Sequence, residues 1–132
     1  MDAEKVQVAL VRSVLGIALV AILVLATLPS EQTVTTGAPS LNHFLAFYVL
    51  ALLTDFAFPR SAFGWHKALP LLAYGIAIEL IQSQIPYRHC SLLDVIVNGV
   101  GILAYVLTLP LIRRLPVPRQ PANSRNSDHG KT

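Results

Sequence analysis

Charge is what this sequence has least of. Only 13% of its 132 residues are charged, about half the share usual in a soluble domain, so a water-surrounded globule is a poor expectation. There is a single cysteine, Cys90, which excludes an intrachain disulfide and a multi-cysteine metal site. It reads as a small loop residue beside Arg88 and His89. No basic stripe with interleaved aromatics occurs, so the net charge of +3 does not indicate a nucleic-acid partner. No internal repeat is visible.

What the chain has instead is apolar residues, 54% of the total, gathered into runs. Val6 to Leu28 is the first, and its Val8–Leu28 part makes about 31 Å of helix against a hydrocarbon core of about 30 Å. The small-residue site Thr36-Gly37-Ala38 is followed at once by Pro39, a poor cleavage context, so this run is expected to be a retained anchor. Pro29 to Ser40 reads as a loop. Leu41–Phe58 forms a second span and Arg60–Lys67 a short basic connector. A third span runs from about Ala68 to Ile85, with Pro70 in its first turn and Pro86 ending it. Leu92–Ile112 is the fourth span, after a tight loop over Pro86–Ser91. Residues 1–112 are expected to form the membrane domain and residues 113–132 a basic, disordered cytoplasmic tail.

Lys and Arg are placed unevenly. Lys5, Arg12, Arg60, Lys67, Arg113, Arg114, Arg119, Arg125 and Lys131 fall on one side of such an arrangement, and only Arg88 on the other. The positive-inside rule then predicts an all-α, multi-pass, four-transmembrane-helix bundle with both termini cytoplasmic. Trp65, His66 and Lys67 read as an anchor at the inner surface.

The unusual residues are polar ones inside the apolar runs. A carboxylate at bilayer depth costs at least a few kcal/mol unless it is paired, protonated or faces water, so Glu79 is expected to point away from lipid. At 1.5 Å per residue, His43 lies about 3 Å below the outer start of the second helix, Glu79 and Gln82 about 9 and 5 Å below the outer end of the third, and Asp94 and Asn98 about 3 and 9 Å below the start of the fourth. Arg88 lies in the loop above them. Gly75, Glu79 and Gln82 share one helix face, as do Asp94, Asn98, Gly101 and Tyr105, and His43 with Phe47. Gly75 and Gly101 permit close helix approach. Tyr48, Tyr74 and Tyr105 read as packing residues. The expectation is an outward-opening polar pocket.

Two classes of function fit these residues. In an enzyme, His43 is a general base, Glu79 or Asp94 orients it and stabilises its charged form, Arg88 clamps a phosphate, and Gln82 and Asn98 hydrogen-bond a head group. In a binding or structural protein, the same groups form a helix-register network in which Arg88 pairs with Glu79 because an unpaired buried charge is expensive. His43, Glu79 and Asp94 include the ligand types for a metal, but no recognised spacing such as H-E-x-x-H is present, and no metal or cofactor is expected.

The order His43-Phe44, Gly75-x-x-x-Glu79-x-x-Gln82, Arg88, Asp94-x-x-x-Asn98-x-x-Gly101 resembles the VanZ-like family of bacterial membrane proteins, over about residues 41–107. One departure is that Pro39-Ser40 stands where many relatives have an Asp-Lys pair before the His-Phe. The resemblance implies a bacterial inner-membrane protein of the cell envelope, with a founding relative associated with tolerance to the antibiotic teicoplanin. More distantly, it implies kinship with membrane enzymes of lipid head groups such as phosphatidylserine synthases. Substrates would then be phospholipids or polyprenyl-linked envelope precursors, with head-group hydrolysis or transfer as the reaction. A homodimer is compatible with so small a bundle.

Overall fold

The computed structural model describes residues 2–29, 39–88 and 91–116. The central part of the first loop, His89, Cys90 and the tail beyond residue 116 lie outside the described residues. Four helices follow in order: α1 (Ala3–Thr27), α2 (Pro39–Ala57), α3 (Trp65–Ser83) and α4 (Leu92–Ile112). The described chain is all-helical, and three of its helices, α1, α2 and α4, are long and apolar enough to cross a membrane.

Helix α4 matches its sequence-based bounds, and the others shift for local reasons. Helix α2 starts at Pro39, two residues before the expected Leu41, because proline's fixed φ suits the first helical position. Helix α1 extends back to Ala3 through a polar first turn containing Glu4, where an acidic side chain favours the helix dipole. Helix α3 begins three residues early, after an extended Gly64 whose carbonyl accepts from the Lys67 and Ala68 amides. Pro70 therefore sits in its second turn rather than its first. Its end also comes early, at Ser83, where a turn donates the Ile85 amide to the Gln82 carbonyl.

Helix α3 falls short of a span by composition because it carries Lys67, Glu79 and Gln82. All three are buried inside the bundle. Its outward residues Leu69, Ile76, Leu80 and Ile81 are apolar and exposed. The same inversion holds elsewhere: Asn98 and Thr54 are buried, while Leu10, Ile17, Val20, Leu103 and Leu107 face outward.

The core joins Phe47, Leu50 and Ala51 of α2, Ala68 and Leu71 of α3, and Ile102, Tyr105 and Leu109 of α4. Helix α1 has no fully buried residue and lays Leu15, Ala18, Leu19 and Ile22 against that core from outside. The tyrosines pack, as expected, and each also tethers its hydroxyl. Tyr48 meets Thr108 at 2.8 Å, Tyr74 donates to the Leu19 carbonyl and Tyr105 to Asp55.

Helices α2 and α4 touch backbone to backbone at Gly101. A Cβ there would lie 2.5 Å from the Phe44 carbonyl oxygen and 3.2 Å from the Tyr48 nitrogen, so no other residue fits without parting the helices. Gly75 is tight in a different way, since a methyl there would lie 3.0 Å from both the Asn98 amide nitrogen and the Phe47 ring. Gly101→Ala is expected to destabilise the detergent-solubilised protein by roughly 1–3 kcal/mol in denaturant unfolding, the range for overpacking. Gly99→Ala is the control, since its Cβ would meet Leu72 at an ordinary 3.6 Å and should be near neutral.

Candidate functional site

At the end of the bundle where α1 terminates, α2, α3 and α4 bring together His43, Glu79 and Asp94. One potential ligand atom from each lies within 4.8 Å of the other two. The Gly101 contact explains why. It presses the first turns of α2 against α4, so that His43, beside Phe44, meets Asn98, one turn before Gly101.

Nδ1 of His43 lies 3.1 Å from Oδ1 of Asn98. A carbonyl oxygen only accepts, so Nδ1 carries the hydrogen, and in the neutral imidazole the lone pair is on Nε2. That nitrogen faces Oδ2 of Asp94 at 3.8 Å, too far for a hydrogen bond. The side chains of His43 and Asp94 are 22% and 19% exposed and form the accessible side of the cluster. Glu79 and Asn98, 2% and 1% exposed, form its floor.

Glu79 accepts a hydrogen bond through Oε2 from the backbone amide of Ser91, at 3.2 Å. Ser91 is the residue preceding α4, so the carboxylate sits at the positive end of that helix dipole, as does Asp94 in its first turn. The other oxygen, Oε1, is buried without a hydrogen-bond partner, and so is Nδ2 of Asn98. Among the described residues no ion pair joins Glu79 to Arg88, and the pairing expected for a register network does not form.

Arg88 and Gln82 act elsewhere. The last carbonyls of a helix have no partner within it, and those of α1 are met from outside. Nη2 of Arg88 donates to the Leu25 carbonyl at 2.9 Å and to the Leu28 carbonyl. Gln82 donates to Ala26 at 3.0 Å and the Tyr87 hydroxyl to Thr27 at 2.8 Å. A guanidinium is also favoured beside the negative end of a helix dipole. Of the six residues singled out from sequence, the fold thus gathers His43, Glu79, Asp94 and Asn98 into one centre and sets Gln82 and Arg88 to hold the end of α1.

A second polar network, at the opposite end, is one that sequence reasoning misses. Lys67, read from sequence as an interfacial anchor, is 4% exposed. Its ammonium donates to Asp55 Oδ1 at 2.9 Å and to the carbonyls of Phe58 and Ser61 at 3.0 and 2.8 Å. Trp65 does face outward, with 74% exposure, and His66 is exposed beside it. The signal in the sequence is Asp55 at the end of one apolar run and Lys67 at the start of the next. Nearby, Arg12 donates to the Ala57 carbonyl at 2.9 Å and lies over the Phe58 ring.

No protein-family model, curated protein or solved structure matches this chain.

Removing the clamp on α1 tests its role. Arg88→Ala should cost roughly 1–3 kcal/mol of unfolding stability and Gln82→Ala about 1 kcal/mol, as for hydrogen bonds from charged and neutral donors. Both variants unfolding like the wild type would show that α1 is not held this way.

Proposed function

We propose that the chain is a four-span, VanZ-like inner-membrane protein whose His43–Glu79–Asp94 centre acts on the phosphate-bearing head groups of phospholipids or polyprenyl-linked envelope precursors. The single observation that carries this reading is the geometry of His43. Its Nδ1 is occupied by Asn98, and Nε2 presents a lone pair on the accessible side of a carboxylate cluster in a bundle with an apolar exterior. A lipid can bring a head group to that layer while its tail stays in hydrocarbon.

The fourth span is supported by the polarity of α3. Its charged and amide groups are buried and its outward face is apolar, as lipid contact requires. The excess of Lys and Arg at the other end supports cytoplasmic termini. The motif order that resembles VanZ-like proteins coincides with the centre: His43, Glu79, Asp94 and Asn98 belong to it, and Gly101 makes the contact that assembles it.

The reaction is head-group hydrolysis or transfer. Nε2 of His43 accepts the proton of a water or alcohol as its oxygen bonds to phosphorus, and the departing oxygen takes a proton as the old P–O bond breaks. Asp94 and Glu79 stabilise the imidazolium formed between those steps. Asn98 keeps the ring turned for this transfer.

Purified protein given head-group-labelled phospholipids or lipid-linked precursors should release the label, and His43→Ala should slow release by about 10²–10⁴-fold, the usual contribution of a positioned acid–base group. A folded wild type with no turnover on either substrate class would sink the enzymatic reading. Reporter fusions at the two termini should both read cytoplasmic, and a fusion after Pro86 should read extracytoplasmic. Termini on opposite sides would sink the four-span arrangement.

A further inference from the structure

The centre has more negative than positive chemistry. Two carboxylates face an imidazole whose lone pair points at one of them, and among the described residues no lysine or arginine pairs with either. Arg88 is turned to the carbonyls of α1. With the imidazole neutral, electron pairs face each other across 3.8 Å, and a proton or a metal cation between them relieves the repulsion. The buried Oε1 of Glu79, without a partner in a 2% exposed side chain, is the group such a species would relieve.

We propose that this centre is a binding site for one divalent first-row metal ion, of the Zn2+ or Mn2+ type, held by His43 Nε2 and one oxygen each from Glu79 and Asp94. An imidazole with two carboxylates suits these ions better than Mg2+ or Ca2+, which prefer oxygen alone. Metal–ligand bonds of about 2.1 Å set neighbouring tetrahedral ligands about 3.4 Å apart. The 3.8 Å between Nε2 and Oδ2 is near that value, and the 4.8 Å limit for the three atoms together leaves an inward shift of about an ångström. Asp94 is partly exposed, with solvent rather than packed side chains on one side. Asn98 supplies what a ligating histidine needs, a carbonyl oxygen on the other ring nitrogen that fixes tautomer and orientation. Three protein ligands leave a position open on the exposed side, where a water or a phosphate oxygen can bind.

The site stands on the donor set and does not depend on turnover. Where the ion is bound it occupies the lone pair that otherwise accepts a proton. Polarisation of a bound water or phosphate oxygen by the metal then replaces base catalysis by His43. The absence of a familiar ligand spacing in the chain is no obstacle, because the three ligands come from three helices.

The test is metal retention by the full chain in detergent. After stripping with a chelator, the protein is reloaded separately with Zn2+ and Mn2+, desalted, and analysed for metal per chain and for thermal unfolding. One ion per chain and a midpoint that climbs with metal concentration are expected. Glu79→Gln and Asp94→Asn should both lose the retained ion and the thermal shift. Asn98→Ala should weaken binding by about 10–100-fold, the usual effect of losing an outer partner. Asp94→Asn serves if Glu79→Gln fails to fold, since Asp94 is partly exposed. Retention of neither metal by the wild type, or full retention by folded Asp94→Asn, overturns the site. Head-group release by a chelated protein that is indifferent to added metal also overturns it while leaving His43 as the base. Metal retention without turnover supports the site and removes the enzymatic reading.

Discussion

The contact of Gly101 with the Phe44 carbonyl is the constraint on which the site depends. Helix backbones come this close only where one of them lacks a side chain, and the missing methyl would have sat 2.5 Å from that oxygen. The consequence lies at the adjacent residue on α2 and one turn earlier on α4. With α2 and α4 in backbone contact, His43 is near enough to Asn98 for a 3.1 Å hydrogen bond, and Asp94 falls beside the free ring nitrogen. Glu79 reaches the same point from α3, fixed by the amide that precedes α4. The imidazole, the two carboxylates and the amide are therefore positioned by helix packing, with the loops contributing one backbone donor.

A low-charge chain that buries its polar residues has to place most of their atoms against partners inside the bundle. Helix α3 shows this most clearly. Its outward face is leucine and isoleucine, whereas Lys67, Glu79 and Gln82 point inward and do different things. Lys67 closes an ion pair, Glu79 joins the centre, and Gln82 holds α1. The peripheral α1 has no buried residue of its own. Its attachment at the site end comes from hydrogen bonds to its final carbonyls, which leucine packing alone could not satisfy.

Much of this is legible in the sequence because helical periodicity predicts faces well. The shared faces of Glu79 with Gln82 and of Asn98 with Gly101 and Tyr105 are all buried in the bundle, and the bounds of α4 follow from its apolar run between the loop ending at Ser91 and Arg113. What is not legible depends on where the chain turns. Counting Lys67 as a connector residue misses that an extended Gly64 starts α3 early and draws that lysine inside to Asp55. Sequence pairs Arg88 with a phosphate or with Glu79 because those are the anionic candidates it offers. The uncapped carbonyls of α1, its actual partners, have no signature in side chains. Linear spacing such as H-E-x-x-H carries no information about His43, Glu79 and Asp94, which come together from three different helices.

The two polar networks differ in how completely their buried atoms are paired. At one end, the three donors of the Lys67 ammonium meet three oxygens, and Asp55 takes a further bond from Tyr105. Every donor of the ammonium is used within the protein, and the cost of unpaired charge explains the network. At the other end, Oε1 of Glu79 and Nδ2 of Asn98 are buried without partners, and Nε2 of His43 stands 3.8 Å from a carboxylate to which it makes no hydrogen bond. Buried polar atoms are nearly always satisfied in native proteins, and leaving such a group unpaired costs about 1–3 kcal/mol or more. A bundle that completes one network and leaves the other open at several atoms is not short of ways to pair its side chains. The open network is the one on the partly exposed side, and it is also the one drawn from three helices, two of which are in backbone contact at Gly101.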